Sequence, residues 1–127
     1  MLAKLKQLHS PDINFENYWP EDESNFGFLL ELSIGSSDSD GADIFQLMVC
    51  TPEWFTSEYK DQSAVWGYSF LFVFKYDFPT IKAFITKHIE KIYGNDWPSM
   101  AVKIDRYAMW EFQDYQPYAK ISMLPPL

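Results

Sequence analysis

The sequence has 127 residues, which suits one domain with a single core and is too short for two. Hydrophobic residues make up 47% of the chain and aromatic residues 19%, which excludes an intrinsically disordered protein. The net charge of −8 argues against a surface that holds nucleic-acid phosphates or anionic lipid, because both need clustered Lys and Arg.

The cysteine content and the apolar runs indicate the compartment. Cys50 is the one cysteine and cannot form an internal disulfide, which is typical of a reducing environment. The first residues, Met1 to Lys6, lack the uninterrupted apolar stretch of an export signal. The longest apolar run, Phe70 to Phe74, has five residues, whereas a membrane helix needs about 18. We therefore expect a cytoplasmic protein without a membrane span.

Charge is distributed unevenly along the chain. No Lys or Arg occurs between Gln7 and Tyr59, yet eleven of the eighteen acids lie there. One interpretation is a solubility device, since net charge keeps small proteins apart. The other is a negative face that steers a basic partner into contact. Composition leaves both open.

The first half of the chain has the pattern of a sheet. Ala3 to Leu8 is typical of an edge strand protected by lysines, and Asn14 to Glu23 of an irregular loop. Apolar residues alternate from Phe26 to Ile34 and again from Phe45 to Val49, with a polar loop, Gly35 to Gly41, between them. The pattern predicts a long-looped β-hairpin.

The second half is richer in helix signals. Thr51 caps a short helix that ends near Tyr59, and Asp77 caps a longer one with apolar residues at spacings of three and four. Asp96 opens the last helix, in which we expect Trp97 to be structural, on the buried face. These signals predict an α+β fold: one layer of mostly antiparallel sheet backed by two C-terminal helices.

Two segments are assigned on weaker patterns. Tyr68 to Lys75 is apolar on both faces, which predicts a central strand. Trp110 to Tyr115 is either a returning strand or a cover over the core. We expect one domain over residues 1–127, with a loose tail from about residue 117.

No group of residues in the sequence matches the pattern of a catalytic site or a metal-binding site. Cys50 follows a predicted strand without an evident basic partner, so a buried structural thiol is the preferred interpretation over a nucleophile. His9 and His88 lie at spacings unrelated to Cys50, which does not fit zinc. The loop that begins at Ser36 lacks the acidic twelfth residue of a calcium loop. We therefore expect no catalytic residue, metal or cofactor; an enzyme that uses Cys50 is the least favoured alternative.

Aromatic residues outside the predicted core suggest a protein-binding surface. Tyr18, Trp19, Trp54, Tyr59 and Trp66 lie in or beside loops, and the first four fall within the acidic half. Rings supply contact energy and acids supply orientation at protein interfaces. The alternative is that these rings hold long loops against the sheet.

Several short motifs resemble a known family. They are His9-Ser10-Pro11-Asp12, Tyr18-Trp19-Pro20, Phe26-Gly27-Phe28, Val49-Cys50-Thr51-Pro52-Glu53-Trp54, Trp97 and Trp110-Glu111-Phe112-Gln113-Asp114-Tyr115. In this order they resemble the immunity protein 8 family of bacterial polymorphic toxin systems. The resemblance implies a non-enzymatic protein that binds and neutralises a cognate toxin domain in its own cytoplasm. Gln113 stands where the family pattern often has an acid.

Charge and resemblance together give a hypothesis for the contact. The partner would be a basic toxin domain, such as a nuclease. An acidic adaptor or nucleic-acid mimic that binds basic proteins without a toxin is the alternative. We expect Glu111 to face the partner and Asp114 to lie beside buried rings. The predicted partner-binding residues are Glu21, Asp22, Glu23, Asp38, Asp40, Asp43, Glu53, Glu58 and Glu111.

Overall fold

The structure is a computed structural model that describes residues 1–113. The elements are β1 (Ala3–His9), β2 (Gly27–Ser36), β3 (Asp43–Cys50), α1 (Pro52–Glu58), β4 (Phe70–Phe72), α2 (Phe78–Ile89), α3 (Trp97–Ile104) and β5 (Met109–Trp110). One sheet contains all five of these strands, in the order β1-β2-β3-β4, and β5 also pairs with β3. Every strand pairing is antiparallel except that of β3 with β4, which is parallel. The predicted α+β class, with a mostly antiparallel sheet, is confirmed.

The hairpin of β2 and β3 forms the centre of the sheet. Alternate side chains of a strand point to opposite faces, so one face of the hairpin collects the apolar residues. Leu30 pairs with Leu47 and Leu32 with Phe45 on this core face. The buried apolar residues of the hairpin on this face are Phe28, Leu30, Leu32, Ile34, Phe45, Leu47 and Val49.

The two C-terminal helices supply the other half of the core. Both begin as predicted: Asp77 and Asp96 accept hydrogen bonds from the backbone N–H of Thr80 and Ser99, and each helix has a proline in its first turn. Helix α2 ends at Ile89. Their buried side chains are Ile81, Ile85, Ile89, Met100, Ala101 and Ile104.

Helix α1 packs at one end of the opposite face of the sheet. Its N-cap, Thr51, accepts a hydrogen bond from the Trp54 N–H and is itself buried. The indole of Trp54 lies directly over Gly27, where an added Cβ would stand 2.5 Å from two ring atoms. The Phe55 ring meets those of Phe70 and Phe72 edge to face. A glycine in β2 therefore provides the space in which α1 docks.

The predicted central strand from Tyr68 to Lys75 is wrong. The strand spans only Phe70–Phe72 and is the last in the sheet order, and within residues 1–113 it pairs with β3 alone. Each of its faces makes apolar contacts: half-buried Leu71 packs against the core, while Phe70 and Phe72 pack against α1. Phe74, inside the predicted strand, is 82% exposed.

The C-terminal motif is also shorter as a strand than its sequence suggested. Strand β5 contains only Met109–Trp110, and residues 111–113 form a turn. The alternation of side chains that a strand produces therefore stops after Trp110. Asp114, and with it the expected buried carboxylate, lies outside the described residues, as does the tail predicted to be loose.

The contact of Gly27 with Trp54 predicts a stability effect. Gly27→Ala should lower the free energy of unfolding by about 1–3 kcal/mol, because the new methyl group overlaps the indole. Chemical denaturation measures this change. Gly41→Ala is the matched control: an added Cβ there meets no atom within 4 Å, so the change should stay within about 0.5 kcal/mol. In a Trp54→Ala background the cost of Gly27→Ala should disappear, and an undiminished cost would contradict the assignment.

Candidate functional site

The predicted partner-binding acids separate into groups at the two ends of the hairpin. Glu21, Asp22, Glu23 and Glu53 lie where β2 begins and β3 ends; we call this group the acidic end. The Ser24 hydroxyl joins two of its members, at 2.8 Å from Asp22 Oδ1 and 3.1 Å from Glu53 Oε2. All four side chains are exposed.

Asp38 and Asp40 lie in the loop at the other end of the hairpin. Seven residue steps of β2 separate Gly27 from Ile34, which is roughly 24 Å of strand. The ammonium group of Lys6 donates to the carbonyls of Ser39 and Gly41, so a cation already sits in this loop. The acids of the stretch without Lys or Arg therefore form two separate surface patches, one at each end of the hairpin.

Asp43 serves the fold. Its Oδ2 accepts hydrogen bonds from the indole N–H of Trp97 at 2.7 Å and of Trp110 at 2.9 Å. Both indoles also pack on the ring of Phe45, Trp97 edge to face and Trp110 stacked. One oxygen of Asp43 thus connects β3, α3 and β5, and its hydrogen bonds are made within the fold.

Glu111 also makes a contact within the chain. It is exposed, and its Oε1 accepts a hydrogen bond from the backbone N–H of Ile44 at 3.1 Å. The Glu111 N–H donates in turn to the Ile44 carbonyl at 3.0 Å. The side chain therefore extends the pairing of β5 with β3, and only its second oxygen is left for a partner.

Asp105 is an acceptor that sequence reasoning did not single out. Its Oδ1 accepts from the Tyr68 hydroxyl at 2.7 Å and from the Trp110 N–H at 2.8 Å. The amide of Gln113 donates to both oxygens of Asp105, at 3.2 and 3.1 Å. An acid at position 113 would place a second carboxylate beside that of Asp105, and the two would repel each other. The Gln113 amide instead donates hydrogen bonds to Asp105.

The acids of the acidic end form no ion pair within residues 1–113. The one ion pair in this part of the chain joins His9, when it is protonated, to Glu31 at 3.8 Å. Hydrogen bonds from the backbone and side chain of Ser24 lower the pKa of Asp22, so its charge is held. Glu58 is exposed at the last residue of α1, five residues and about 8 Å of helix beyond Glu53.

An open cavity of about 460 Å³ adjoins the acidic end. Trp19, 63% exposed, lines it together with buried Tyr76, and the two rings meet edge to face at 5.3 Å. Sequence reasoning identified Trp19 and Glu23 but missed Tyr76, since nothing in its spacing marks it. The lining residues are Phe15, Glu16, Tyr18, Trp19, Glu23, Lys75, Tyr76, Asp77, Phe78 and Pro79.

A second exposed surface is apolar and lies along β4 and α2. Two open cavities of about 310 and 340 Å³ share Leu71 and Phe84 in their walls. Phe74 projects beside one of them, and Trp66, 94% exposed, precedes the strand. Exposed aromatic groups of this size are typical of surfaces that contact other proteins.

Cys50 is enclosed within the fold. It is fully buried, and desolvation raises the pKa of its thiol to about 11. Among residues 1–113 no three His, Cys, Asp or Glu side chains are placed to share a metal ion. Each helix in this part of the chain is too short or too polar to cross a lipid bilayer.

The motifs that carry the family resemblance hold the fold together. The Ser10 hydroxyl donates to the Leu29 carbonyl at 2.6 Å, and Asp12 Oδ2 accepts from the Leu29 N–H at 2.7 Å, so these side chains continue the β1–β2 ladder. Buried Thr51 accepts from the N–H of Phe26 at 3.2 Å. Trp54, Trp97 and Trp110 make the contacts described above.

A sheet with helices on both faces, an exposed acidic end and exposed aromatic rings define a small α+β protein with surfaces suited to contact with another protein. Residues 3–115 match the family described as Immunity protein 8, and the chain belongs to that family. The predicted resemblance is confirmed. No curated protein and no solved structure matches the chain.

The contact of Asp43 with two indoles predicts that this acid stabilises the fold. Asp43→Ala should lower the free energy of unfolding by about 1–3 kcal/mol, since two N–H donors lose their acceptor. Asp40→Ala, in the exposed loop nearby, should change it by less than about 0.5 kcal/mol. Thermal and chemical denaturation measure the stability of both variants, and equal stabilities would contradict the assignment.

The burial of Cys50 predicts an unreactive thiol. At pH 8 a group with a pKa of about 11 is almost wholly protonated, and the thiol is also shielded from solvent. Alkylation of the native protein should be slower than that of the urea-unfolded protein by roughly 100-fold or more. Similar rates in the two states would revive the interpretation of Cys50 as a nucleophile.

Proposed function

We propose that this protein binds a cognate toxin domain and neutralises it in the cytoplasm of the cell that makes both. Membership of the immunity protein 8 family is the observation that carries the proposal. The buried, protonated Cys50 fits inhibition by contact better than inhibition by chemistry on the toxin.

We place the toxin contact at the acidic end. Glu21 and Glu23 have exposed carboxylates with no ion pair or hydrogen bond inside the described chain, so both are available to a partner. Asp43 and Glu111 are engaged with the fold, and Lys6 occupies the loop of Asp38 and Asp40. The acidic end also adjoins exposed Trp19, and aromatic groups supply much of the energy of protein contacts.

A negative patch of this kind suits a toxin with a basic surface, such as a nuclease. Opposite charges steer two proteins together and raise the association rate, which can reach about 10⁸ M⁻¹s⁻¹ at low salt. Steering weakens as salt screens the charges, because the screening length falls to about 8 Å at physiological ionic strength. The on-rate is therefore the quantity that reports on the acidic end.

Two double variants with equal loss of charge test the contact. Glu21→Gln with Glu53→Gln should slow association with an inactivated toxin about 3- to 10-fold at low salt, and the difference from wild type should shrink as salt rises. Asp38→Asn with Asp40→Asn removes the same charge about 24 Å away and should have a much smaller effect. Stopped-flow mixing measures both rates.

Three results would count against the proposal. Equal slowing by the two double variants would mean that net charge acts without a defined contact. A salt-independent on-rate for the wild-type protein would remove steering altogether. Binding of an unrelated basic protein as tightly as the toxin would favour an acidic adaptor, and in that case co-expression would also fail to protect cells from the toxin.

A further inference from the structure

We propose that the cavity beside the acidic end receives a single arginine side chain of the toxin. We call it the Trp19 cavity, and its lining is the set of residues given above. This inference rests on the proposed function and adds the chemical group that the contact recognises.

The lining of the Trp19 cavity combines one exposed indole with several carboxylates. Glu16, Glu23 and Asp77 contribute three negative charges, and Lys75 contributes one positive charge. The cavity therefore has a net charge of −2 at neutral pH. A guanidinium group suits such a site, because it stacks on aromatic rings and donates hydrogen bonds in a plane to carboxylates.

The N-terminus of helix α2 adjoins the Trp19 cavity but does not make it a binding site for anions. Asp77 Oδ1 accepts the hydrogen bond of the Thr80 N–H at 3.2 Å, and the Asp77 carbonyl accepts that of the Ile81 N–H at 3.0 Å. Pro79 has no N–H to offer. The backbone donors that attract anions at other helix ends are therefore mostly occupied or missing here.

Tyr76 provides an unused polar atom at the same place. The residue lines the Trp19 cavity, is 5% exposed, and its hydroxyl is the one buried side-chain polar atom of residues 1–113 without a hydrogen-bond partner. A buried hydroxyl without a partner is unfavourable. Its oxygen is closed off from solvent, so one of the five donors of a guanidinium would reach it only if the surrounding rings shift.

The volume and spacing of the Trp19 cavity favour an arginine over a metal ion. About 460 Å³ has room for a whole side chain with some water. Within residues 1–113 no three acidic, histidine or cysteine groups come close enough to share a metal ion. Carboxylates that are spread around an open, ring-lined cavity suit an extended planar cation.

The first experiment uses small probes on the intact protein. N-acetyl-arginine amide should shift the indole N–H signal of Trp19 in an NMR titration, with a saturable response in the millimolar range. N-acetyl-citrulline amide, which has a similar shape and no charge, should leave this signal unmoved. Equal shifts by the two probes, no shift by either, or a response to the arginine probe that survives Glu16→Gln and Glu23→Gln together would overturn the inference.

The second experiment uses the cognate toxin and matched tryptophan variants. Trp19→Ala should weaken toxin binding by about 30-fold or more, the level of a hot-spot residue, with the melting temperature nearly unchanged. Trp66→Ala is the control, because that indole is even more exposed, lies outside the Trp19 cavity, and is next in the chain to Gly67, which lines the apolar surface. Glu16→Gln should weaken binding about 10-fold and Glu58→Gln, outside the cavity, by less than about 2-fold.

The outcomes separate this inference from the proposed function. If the wild-type protein neutralises the toxin and Trp19→Ala binds it equally well, the Trp19 cavity is not the contact and the proposed function stands. Loss of binding in Trp66→Ala with Trp19→Ala unaffected would assign the contact to the apolar surface. If the wild-type protein does not bind the toxin at all, the proposed function itself fails.

Discussion

The carboxylate of Asp43 connects three elements of the fold, β3, α3 and β5. Its Oδ2 accepts from the indoles of Trp97 and Trp110, which come from a helix and from a two-residue strand. Hydrogen bonds to an ionised acceptor are stronger than neutral ones, and this acceptor is partly sheltered from water. Strand β5 is too short to hold itself by backbone pairing, so the indole contact and the Asp105 bond to the Trp110 N–H fix it in place.

The motifs that identify the family therefore describe a scaffold. Thr51 and Trp54 dock α1, Ser10 and Asp12 extend the ladder of β1 with β2, and Trp97 closes the core against Phe45. Two other motif residues, Trp19 and Glu53, are exposed at or beside the acidic end. Under the proposed function, recognition of a toxin would use these two side chains together with exposed loop residues beside the scaffold, which can vary with little cost to folding.

Local rules predicted much of the fold, and tertiary packing decided the rest. Alternation identified β2 and β3, and capping residues identified the starts of the three helices in residues 1–113. The segment from Tyr68 to Lys75 misled because apolar residues on both faces fit a central strand and also an edge strand covered by α1. The number of acids in the first half of the chain can be read from the sequence. Their division between the two ends of the hairpin cannot, because it depends on the three-dimensional fold. Tyr76 had no sequence signal, since its role comes from the rings packed around it.

The charges that suit the acidic end to a basic partner also lower the stability of the fold. Glu21, Glu23 and Glu53 carry like charges close together, and no Lys or Arg forms an ion pair with them inside the described chain. Asp22 adds a further charge, which its bonds to Ser24 hold in the ionised form by lowering its pKa. Repulsion of this kind lowers stability and contributes nothing to the core. Local features that oppose stability without a compensating contact within the fold are typical of functional sites, which is the strongest physical reason to look for the partner here.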